Sequence, residues 1–189
     1  MELIIIAVVY KNRVIGSEAS GQEVMPGFMP NWLGQIQALT RPVIDRANVA
    51  VAVGRNTANL LGLLERPIFD DVPNIVLSKS LSSIEYQIDG VSIISGLPQL
   101  RMTCSALDAV FAIGGHSTYS RLIGHASELW LYEVDADLRG TLKFPPWDKG
   151  LYELYSQESV APRPGFMHAC TFAKYRLRSL SSGQQGMLF

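Results

Sequence analysis

Apolar, β-branched runs alternate along this chain with longer segments of mixed polarity. Such alternation is typical of βαβ units arranged around a largely parallel sheet. Because no helix fits between the last two runs, we expect those two to form an antiparallel ribbon at the sheet edge. The runs predict eight strands, at Leu3–Val9, Val49–Val53, Asn74–Ser78, Val91–Ile94, Val110–Ile113, Glu128–Val134, Tyr152–Ala161 and Ala169–Arg178.

Helical patterns occupy the segments between these strands. The segment Pro30–Leu39 opens with a proline that suits a first helical turn and repeats leucine and isoleucine on one face. The pattern predicts one α/β domain over residues 1–180, with a mixed, mostly parallel eight-stranded sheet and flanking helices. Residues 181–189 form a tail whose serine, glycine and glutamine opening is typical of a flexible spacer. Shorter helices or turns are predicted at Thr57–Leu64, Ser83–Tyr86, Leu97–Ser105 and Thr118–Ile123.

Composition narrows the class of protein. With 189 residues, the chain is long enough for one domain with a sizeable core and short for two. Its 16 basic and 17 acidic residues leave a net charge of -1, so no direct nucleic-acid partner is expected. Two cysteines are too few for a disulfide scaffold and fit a reducing cytoplasm. The apolar N-terminal run is far shorter than the about 20 residues of a membrane-spanning helix, so no membrane partner is expected.

Three predicted strands end in residues suited to binding phosphate. In Gly54–Thr57, a glycine and an arginine precede a helix start, where exposed amides and a guanidinium attract phosphate. In Gly114–Thr118, paired glycines allow a pyrophosphate or a flat ring to approach the backbone. A third strand ends in Leu77-Ser78-Lys79-Ser80, which adds hydroxyls and a cation. Each segment alone is also typical of an ordinary turn, but together they predict a ligand site at one sheet edge.

In order and spacing, these segments resemble dihydrofolate reductase, and the resemblance runs from Leu3 to about Leu180. It implies that family's fold and a hydride transfer from NADPH to a small heterocycle. The resemblance is carried by Ile6–Val9 with Asn12–Gly16, Met25-Pro26 with Pro30, Gly54–Thr57, Asn74–Ser78, Ile113–Gly115 with Tyr119, and Val134–Asp137 with Gly140 and Phe144-Pro145.

The resemblance implies NADPH as the cofactor. Arg55, Lys79 and Ser78 would surround its 2′-phosphate, which favours the phosphorylated dinucleotide over NADH. The glycine pair and the helix start after it would receive the pyrophosphate. For the two cations, solvated surface charge is the alternative interpretation. The implied cofactor-binding residues are Ala7, Ile15, Gly16, Gly54, Arg55, Asn56, Thr57, Ser78, Lys79, Gly114, Gly115, His116, Ser117, Thr118 and Tyr119.

The substrate pocket departs from the family pattern. Trp32 stands at the position of the carboxylate that grips the pterin ring, and no Asp or Glu occurs from Val24 to Ile44. Tyr132 stands in place of the threonine that supports that acid, and Gly27 in place of the loop tryptophan. Trp32 is therefore interpreted in one of two ways: as a core residue that closes a pocket no longer used for pterin, or as part of a pocket changed for another substrate. The expected pocket residues are Ile6, Ala7, Trp32, Leu33, Ile36, Ile113, Tyr119 and Tyr132.

Loss of a carboxylate removes a hydrogen-bond acceptor and a general acid, which together contribute several orders of magnitude to such a reaction. The leading hypothesis is an NADPH-dependent reductase that acts weakly on dihydrofolate or on a related pterin, pyrimidine or other heterocycle. The same superfamily contains reductases of riboflavin precursors, which do not depend on that carboxylate. The alternative is a catalytically degenerate fold used as a binding module, and a purely structural role ranks third. The three histidines are scattered and predict no metal site.

The chain contains a further motif in its tail, Gln185-Gly186-Met187-Leu188-Phe189. It resembles the short peptide by which bacterial replication proteins bind the sliding clamp, with Gln185, Leu188 and Phe189 as the contact residues. A spacer that presents two apolar anchors to a preformed pocket is physically reasonable. A terminus packed on its own domain is the alternative. The sequence thus predicts the sliding clamp as a possible partner beside the small-molecule substrate.

Overall fold

The structure is a computed structural model that describes residues 1–19, 22–24, 48–81, 87–162 and 168–178. Within these ranges the helices are α1 (Arg55–Leu60), α2 (Leu97–Thr103) and α3 (His116–Leu122), and a 3-10 turn at Ile123–His125 follows α3. The strands are β1 (Glu2–Tyr10), β2 (Val14–Ala19), β3 (Gln22–Val24), β4 (Val49–Gly54), β5 (Asn74–Leu77), β6 (Val91–Ile94), β7 (Ala109–Gly114), β8 (Glu128–Val134), β9 (Leu142–Lys143), β10 (Tyr152–Val160) and β11 (Cys170–Leu177).

Eight strands form the main sheet in the order β10-β11-β8-β1-β7-β4-β5-β6. Each neighbouring pair from β8 to β6 is parallel, whereas β11 runs antiparallel to both β8 and β10. The central strands are buried on both faces, which explains why they read as continuous apolar runs. The predicted mixed, mostly parallel eight-stranded sheet and its antiparallel edge ribbon are confirmed.

A second, three-stranded sheet has the order β3-β2-β9 and was not predicted from the sequence. It is antiparallel, and β2 begins within the segment Asn12–Gly16 that carries the resemblance. The hairpin β2–β3 has polar residues at most positions after Gly16, and β9 has only two residues. Short polar strands give no alternating pattern of apolar residues, so the sequence carried no signal for them.

Two apolar layers cover the two faces of the main sheet. One contains Ile4, Ile6, Phe111, Trp130 and Tyr132, and the other is built around alternate residues of the same strands. This division follows from the period of two in a strand, which sends neighbouring side chains to opposite faces. The sheet is therefore covered on both sides, and its free carboxyl edge is the place left for a ligand.

The predicted helices are present where the structure describes them, with shifted ends. The helix predicted at Thr57–Leu64 is observed at Arg55–Leu60 and ends before Gly62, whose φ of 65° suits a glycine in a turn. Those predicted at Leu97–Ser105 and Thr118–Ile123 are α2 and α3. The helices predicted at Pro30–Leu39 and Ser83–Tyr86 lie outside the described residues. In the described ranges no helix has the length and apolarity that a membrane span needs.

Candidate functional site

The carboxyl ends of parallel strands bring the predicted cofactor residues to one edge of the sheet. The register sets Gly54 opposite Leu77, which directly precedes Ser78, and sets Val53 opposite Gly114. The predicted residues that are buried are Ala7, Ile15, Gly16, Gly54, Thr57, Ser78, Gly114, Thr118 and Tyr119. Those with exposed surface are Arg55, Asn56, Lys79, Gly115, His116 and Ser117.

Gly54 lets the end of β4 approach α3 closely. A Cβ atom at this position would lie 2.5 Å from Thr118 Oγ1 and 3.6 Å from Ser117 Oγ. The first distance is shorter than real Cβ contacts allow, so a larger residue would require a shift of Thr118 or of the elements around it. The side chain of Thr118 is itself buried at this contact. Packing between β4 and α3 therefore favours glycine at this position.

Gly114 ends β7 with a φ of 147°, a conformation that side-chain-bearing residues rarely adopt. A Cβ atom here would lie 3.3 Å from Thr57 Cγ2 at the first turn of α1. The peptide bond from Gly114 to Gly115 is cis. The turn after β7 thus has two glycines at a point where β4, α1 and α3 converge.

A cluster of hydroxyl groups and cations lies beyond the ends of β4 and β5. The Nη1 atom of Arg55 donates a 2.6 Å hydrogen bond to Ser80 Oγ. Buried Ser78 accepts hydrogen bonds through its Oγ from the backbone amides of Ser80 and Leu81, at 3.2 and 3.0 Å. Lys79 is exposed between the two serines. Among the described residues neither cation forms a salt bridge with a carboxylate, so this donor set is suited to an anion such as a phosphate.

Tyr119 connects α3 with β1 at the centre of the edge. Its hydroxyl donates a 2.8 Å hydrogen bond to the backbone carbonyl oxygen of Ile6. Its ring lies 5.3 Å from the ring of Phe144, which directly follows β9. The side chain of Tyr119 is only 5% exposed, so the hydrogen bond is shielded from water. This tyrosine therefore fixes α3 against β1 and also contacts the smaller sheet.

The smaller sheet presents Ile15 and Gly16 at the same edge. Gly16 in β2 pairs with Leu142 in β9, and the Gly16 carbonyl is in close contact with Gly140. The Nδ1 atom of His116 lies 2.7 Å from the carbonyl oxygen of Lys143 in β9. These contacts attach β2, which contains the implied cofactor-binding residues Ile15 and Gly16, to β9 and attach β9 to α3.

The predicted substrate-pocket residues fall into three groups. Ile6, Ile113 and Tyr132 belong to one apolar layer of the sheet, whereas Ala7 and Tyr119 belong to the other. Tyr132 is buried and stacks on Phe172, with ring centroids 4.2 Å apart and planes at 12°. Outside the described residues lie Trp32, Leu33, Ile36 and the tail residues Gln185, Leu188 and Phe189.

Tyr10, at the end of β1, is buried in the same layer as Ile6 and Tyr132. Its hydroxyl has no hydrogen-bond partner in the described part of the chain. Burial, and to a smaller extent the neighbouring Cys170 thiol, raise the pKa of this phenol. Tyr10 is therefore a neutral hydroxyl at ordinary pH, in the apolar layer that also contains Ile6.

The Ser80 hydroxyl, expected at this edge with Ser78 and Lys79, accepts a hydrogen bond from Arg55, although Ser80 was not among the implied cofactor-binding residues. Two contacts of the site were missed from the sequence. One is the hydrogen bond between His116 and the Lys143 carbonyl oxygen. The other is the packing of Phe144 on Tyr119, and no pattern in the sequence relates these two residues. The Phe144 contact depends on β9, which the sequence did not predict.

Comparisons with known proteins agree with this geometry. The chain matches the family model for dihydrofolate reductase over residues 2–177. A dihydrofolate reductase of Bacillus subtilis (strain 168) is 28% identical over 147 residues, which are 78% of this chain and 77% of the relative. Dihydrofolate reductase HdrB of Haloferax volcanii is 24% identical over 189 residues, which are 98% of this chain and 89% of the relative.

A solved structure is similar in fold. The dihydrofolate reductase from Enterococcus faecalis complexed with NADP(H) and RAB-propyl superposes with a TM-score of 0.73 at 20% identity. The superposition covers 94% of this chain and 97% of that one. Because the family model spans nearly the whole chain, from the first strand to the last, this protein belongs to the dihydrofolate reductase family.

Proposed function

We propose that this protein is an NADPH-dependent reductase of a small heterocycle, with weak activity on dihydrofolate. One observation carries the proposal: two strands end in glycine, at Gly54 and Gly114, at the same edge of the sheet. The hydrogen-bonded pair of Arg55 and Ser80 lies beside them. This edge combines glycines that admit a ligand with cations that balance its charge. Membership of the family and the NADP(H) in the similar Enterococcus faecalis structure support NADPH as that ligand.

The residues of this edge fit a phosphorylated dinucleotide. The cluster of Arg55, Ser78, Lys79 and Ser80 supplies two positive charges and two hydroxyls without a carboxylate in a described salt bridge. Such a set suits a dianionic 2′-phosphate and would be left unbalanced by the plain ribose of NADH. The turn Gly114–Thr118 would hold the pyrophosphate, because its two glycines have no Cβ atom to keep a ligand from the backbone.

When bound, NADPH supplies the hydride, and the chain supplies position and shielding. The backbone at Ile6 and Ala7, whose side chains are buried in opposite layers, lies where a nicotinamide and a substrate ring would meet. The Tyr119 hydroxyl is held by the Ile6 carbonyl oxygen, so it is a fixed polar group at that place. Ile15 and Gly16 would cover the ring from the smaller sheet and exclude water.

The weak activity on dihydrofolate is inferred from the sequence of the first long helical segment. No carboxylate occurs from Val24 to Ile44, so that segment offers no acid to protonate a pterin and no anion to pair with its aminopyrimidine. The indole of Trp32 has a hydrogen-bond donor but no acceptor. General acid catalysis contributes about 10²–10⁴-fold, and its loss would leave a slow reaction. A substrate whose reduction takes its proton from a source other than that carboxylate, such as a precursor of riboflavin, would not be affected.

The proposal is tested by cofactor binding and by substrate screening. We expect NADPH to quench the intrinsic fluorescence of the protein and to bind more tightly than NADH. NADPH oxidation should then be followed with dihydrofolate, with other pterins and with aminopyrimidine precursors of riboflavin. Binding of NADPH with turnover of one of these substrates supports the proposal. Absence of NADPH binding would contradict it.

The second candidate function is a binding module that the tail recruits to the bacterial sliding clamp. It is favoured by the sequence Gln185–Phe189, which lies outside the described residues and stays a prediction. A synthetic peptide of residues 184–189 should bind a bacterial clamp with micromolar affinity, which corresponds to about -8 kcal/mol. Deletion of residues 187–189 should abolish clamp binding by the whole protein and leave NADPH affinity unchanged. Absence of clamp binding, or unfolding of the deletion variant, would reject this function.

A further inference from the structure

His116 connects α3 with β9, a strand that does not belong to the main sheet. It is the first residue of α3, directly after the glycine pair, and Lys143 is the last residue of β9. The Nδ1 atom of His116 lies 2.7 Å from the backbone carbonyl oxygen of Lys143, 27 residues along the chain. Because a carbonyl oxygen only accepts hydrogen bonds, the proton belongs to Nδ1 and the imidazole donates.

Strand β9, which this hydrogen bond connects to α3, is short and lies outside the main sheet. β9 has two residues and pairs with β2 at Val14 and Gly16, with an irregular register between them. The amide of Phe144 donates a 2.7 Å hydrogen bond to the Arg13 carbonyl oxygen, which extends this pairing by one step. Neither β2 nor β9 belongs to the eight-stranded sheet. The described contacts between this region and α3 include the His116 bond, the packing of Tyr119 on Phe144, and the apolar layer that Ile15 shares with Tyr119 and Leu122.

We infer that His116 is a positioning residue that fixes the backbone of Ile15 and Gly16 against the Gly114–Gly115 turn. The inference rests on the proposed function in taking NADPH as the ligand. If β2 is free to move away from α3, the cover over the nicotinamide half of the cofactor loosens. The 2′-phosphate half is bound by Arg55 and Ser78, which make no described contact with β9. His116 therefore affects one half of the ligand and not the other.

The experiment uses three variants of the full chain. His116→Leu removes the donor while keeping a side chain of moderate size. His116→Asn keeps an amide donor near the place of Nδ1 and is the rescue variant. His125→Leu removes an exposed histidine from the 3-10 turn that follows α3 and is the matched control. Each variant is titrated with NADPH and with 2′,5′-ADP, which has the 2′-phosphate and adenosine but no nicotinamide.

We expect His116→Leu to weaken NADPH binding about three- to tenfold, the effect of one hydrogen bond, and to leave 2′,5′-ADP binding within about twofold. His116→Asn should restore most of the loss, and His125→Leu should behave as the wild type. In the ligand-free protein, hydrogen exchange at the amides of Ile15 and Gly16 should be faster in His116→Leu than in His116→Asn. This second readout needs no cofactor and no turnover.

The inference is overturned if His116→Leu binds NADPH as the wild type does and exchanges at the same rate. It is also overturned if the variant loses NADPH and 2′,5′-ADP equally, because the histidine would then have a general structural role. A wild-type protein that binds neither ligand contradicts the proposed function instead. In that case the exchange rates alone decide whether His116 fixes β2.

Discussion

The hydroxyl of Tyr119 on α3 donates a 2.8 Å hydrogen bond to the backbone carbonyl oxygen of Ile6 on β1. The paired register of β1 and β7 ends one residue before, at Ile5 opposite Ala112. The Ile6 carbonyl therefore lies just beyond the point where these two central strands stop pairing. The Tyr119 hydroxyl takes the place of a backbone donor from β7 at this carbonyl. The position of Ile6 in the proposed active site therefore depends on a side-chain contact with α3.

Replacement of Tyr119 by phenylalanine should lower the free energy of unfolding by about 1 kcal/mol, because one buried hydrogen bond is lost. It should also slow NADPH oxidation, since the Ile6 carbonyl would no longer be fixed. Tyr152→Phe is the matched control, because the Tyr152 hydroxyl donates a 2.8 Å bond to the Ala126 carbonyl oxygen on another side of the domain. Urea unfolding and turnover are measured for both. Equal turnover of the two variants would show that Tyr119 only stabilises the fold.

Replacement of Arg55 by alanine should weaken NADPH binding by about tenfold or more and change NADH binding little. The guanidinium is held by Ser80 beside Ser78, where the 2′-phosphate is proposed to bind, and a charge-assisted hydrogen bond contributes roughly 1.5–3 kcal/mol. Fluorescence titration of both cofactors measures the difference. Arg101→Ala on α2 is the control for loss of one positive charge. Equal losses for the two cofactors would show that Arg55 does not contact that phosphate.

Replacement of Gly54 by alanine should lower the free energy of unfolding by about 1–3 kcal/mol, because the new methyl group would overlap Thr118 Oγ1. The backbone of Gly54 itself has φ -80° and ψ 161°, which alanine adopts readily. The cost is therefore steric, and Thr118→Ala should relieve it, since the Thr118 Cβ atom would be 3.8 Å away. Thermal unfolding of both single variants and the double variant tests this. A double variant no more stable than the sum of the single changes would contradict the contact.

Most of the main sheet could be predicted because its strands are buried on both faces. Strand β8 was predicted with the bounds observed, and six of its seven residues are buried. Strand β6 was also predicted with the bounds observed, although only its second half is buried. The hairpin β2–β3 and the two-residue β9 were not predicted, because they form by local pairing of polar residues. A period of two needs several residues to be recognised, and β9 has two.

The meeting of the strand ends at one edge was predictable because the strands are parallel. Parallel strands point the same way, so residues after each strand end share one edge whatever the order of the strands. The contacts between Tyr119 and Phe144 and between His116 and Lys143 could not be predicted. They join positions 25 and 27 residues apart through a strand that leaves no sequence signal.

The carboxyl group of Glu128 should make the free energy of unfolding depend on pH. Glu128 is not one of the residues of the proposed cofactor site. Burial raises the pKa of this carboxyl, but hydrogen bonds from Tyr155, Trp130 and Arg176 outweigh it, and the net pKa is lowered. A carboxyl whose folded pKa lies below its unfolded value of about 4.3 binds fewer protons when folded. Its contribution is present above the unfolded pKa and is lost as the pH falls through the folded pKa.

Glu128→Gln should therefore lower the free energy of unfolding near neutral pH and flatten its fall below about pH 4.3. The loss near neutral pH is expected at about 1–3 kcal/mol, because a buried charged acceptor is replaced. Urea unfolding at a series of pH values measures both effects. Glu158→Gln, on the exposed part of β10, is the control. The same pH profile for Glu128→Gln and the wild type would exclude this carboxyl as the source.

NADPH oxidation in the presence of dihydrofolate, by the wild type and by Trp32→Asp side by side, tests the central claim most directly. We expect the wild type to bind NADPH but to turn dihydrofolate over slowly and to be insensitive to diaminopyrimidine inhibitors, whose protonated ring needs a carboxylate partner. Trp32→Asp should bind such an inhibitor more tightly and oxidise NADPH faster. Rapid turnover by the wild type with ordinary diaminopyrimidine inhibition would contradict the account, and so would a wild-type protein that does not bind NADPH.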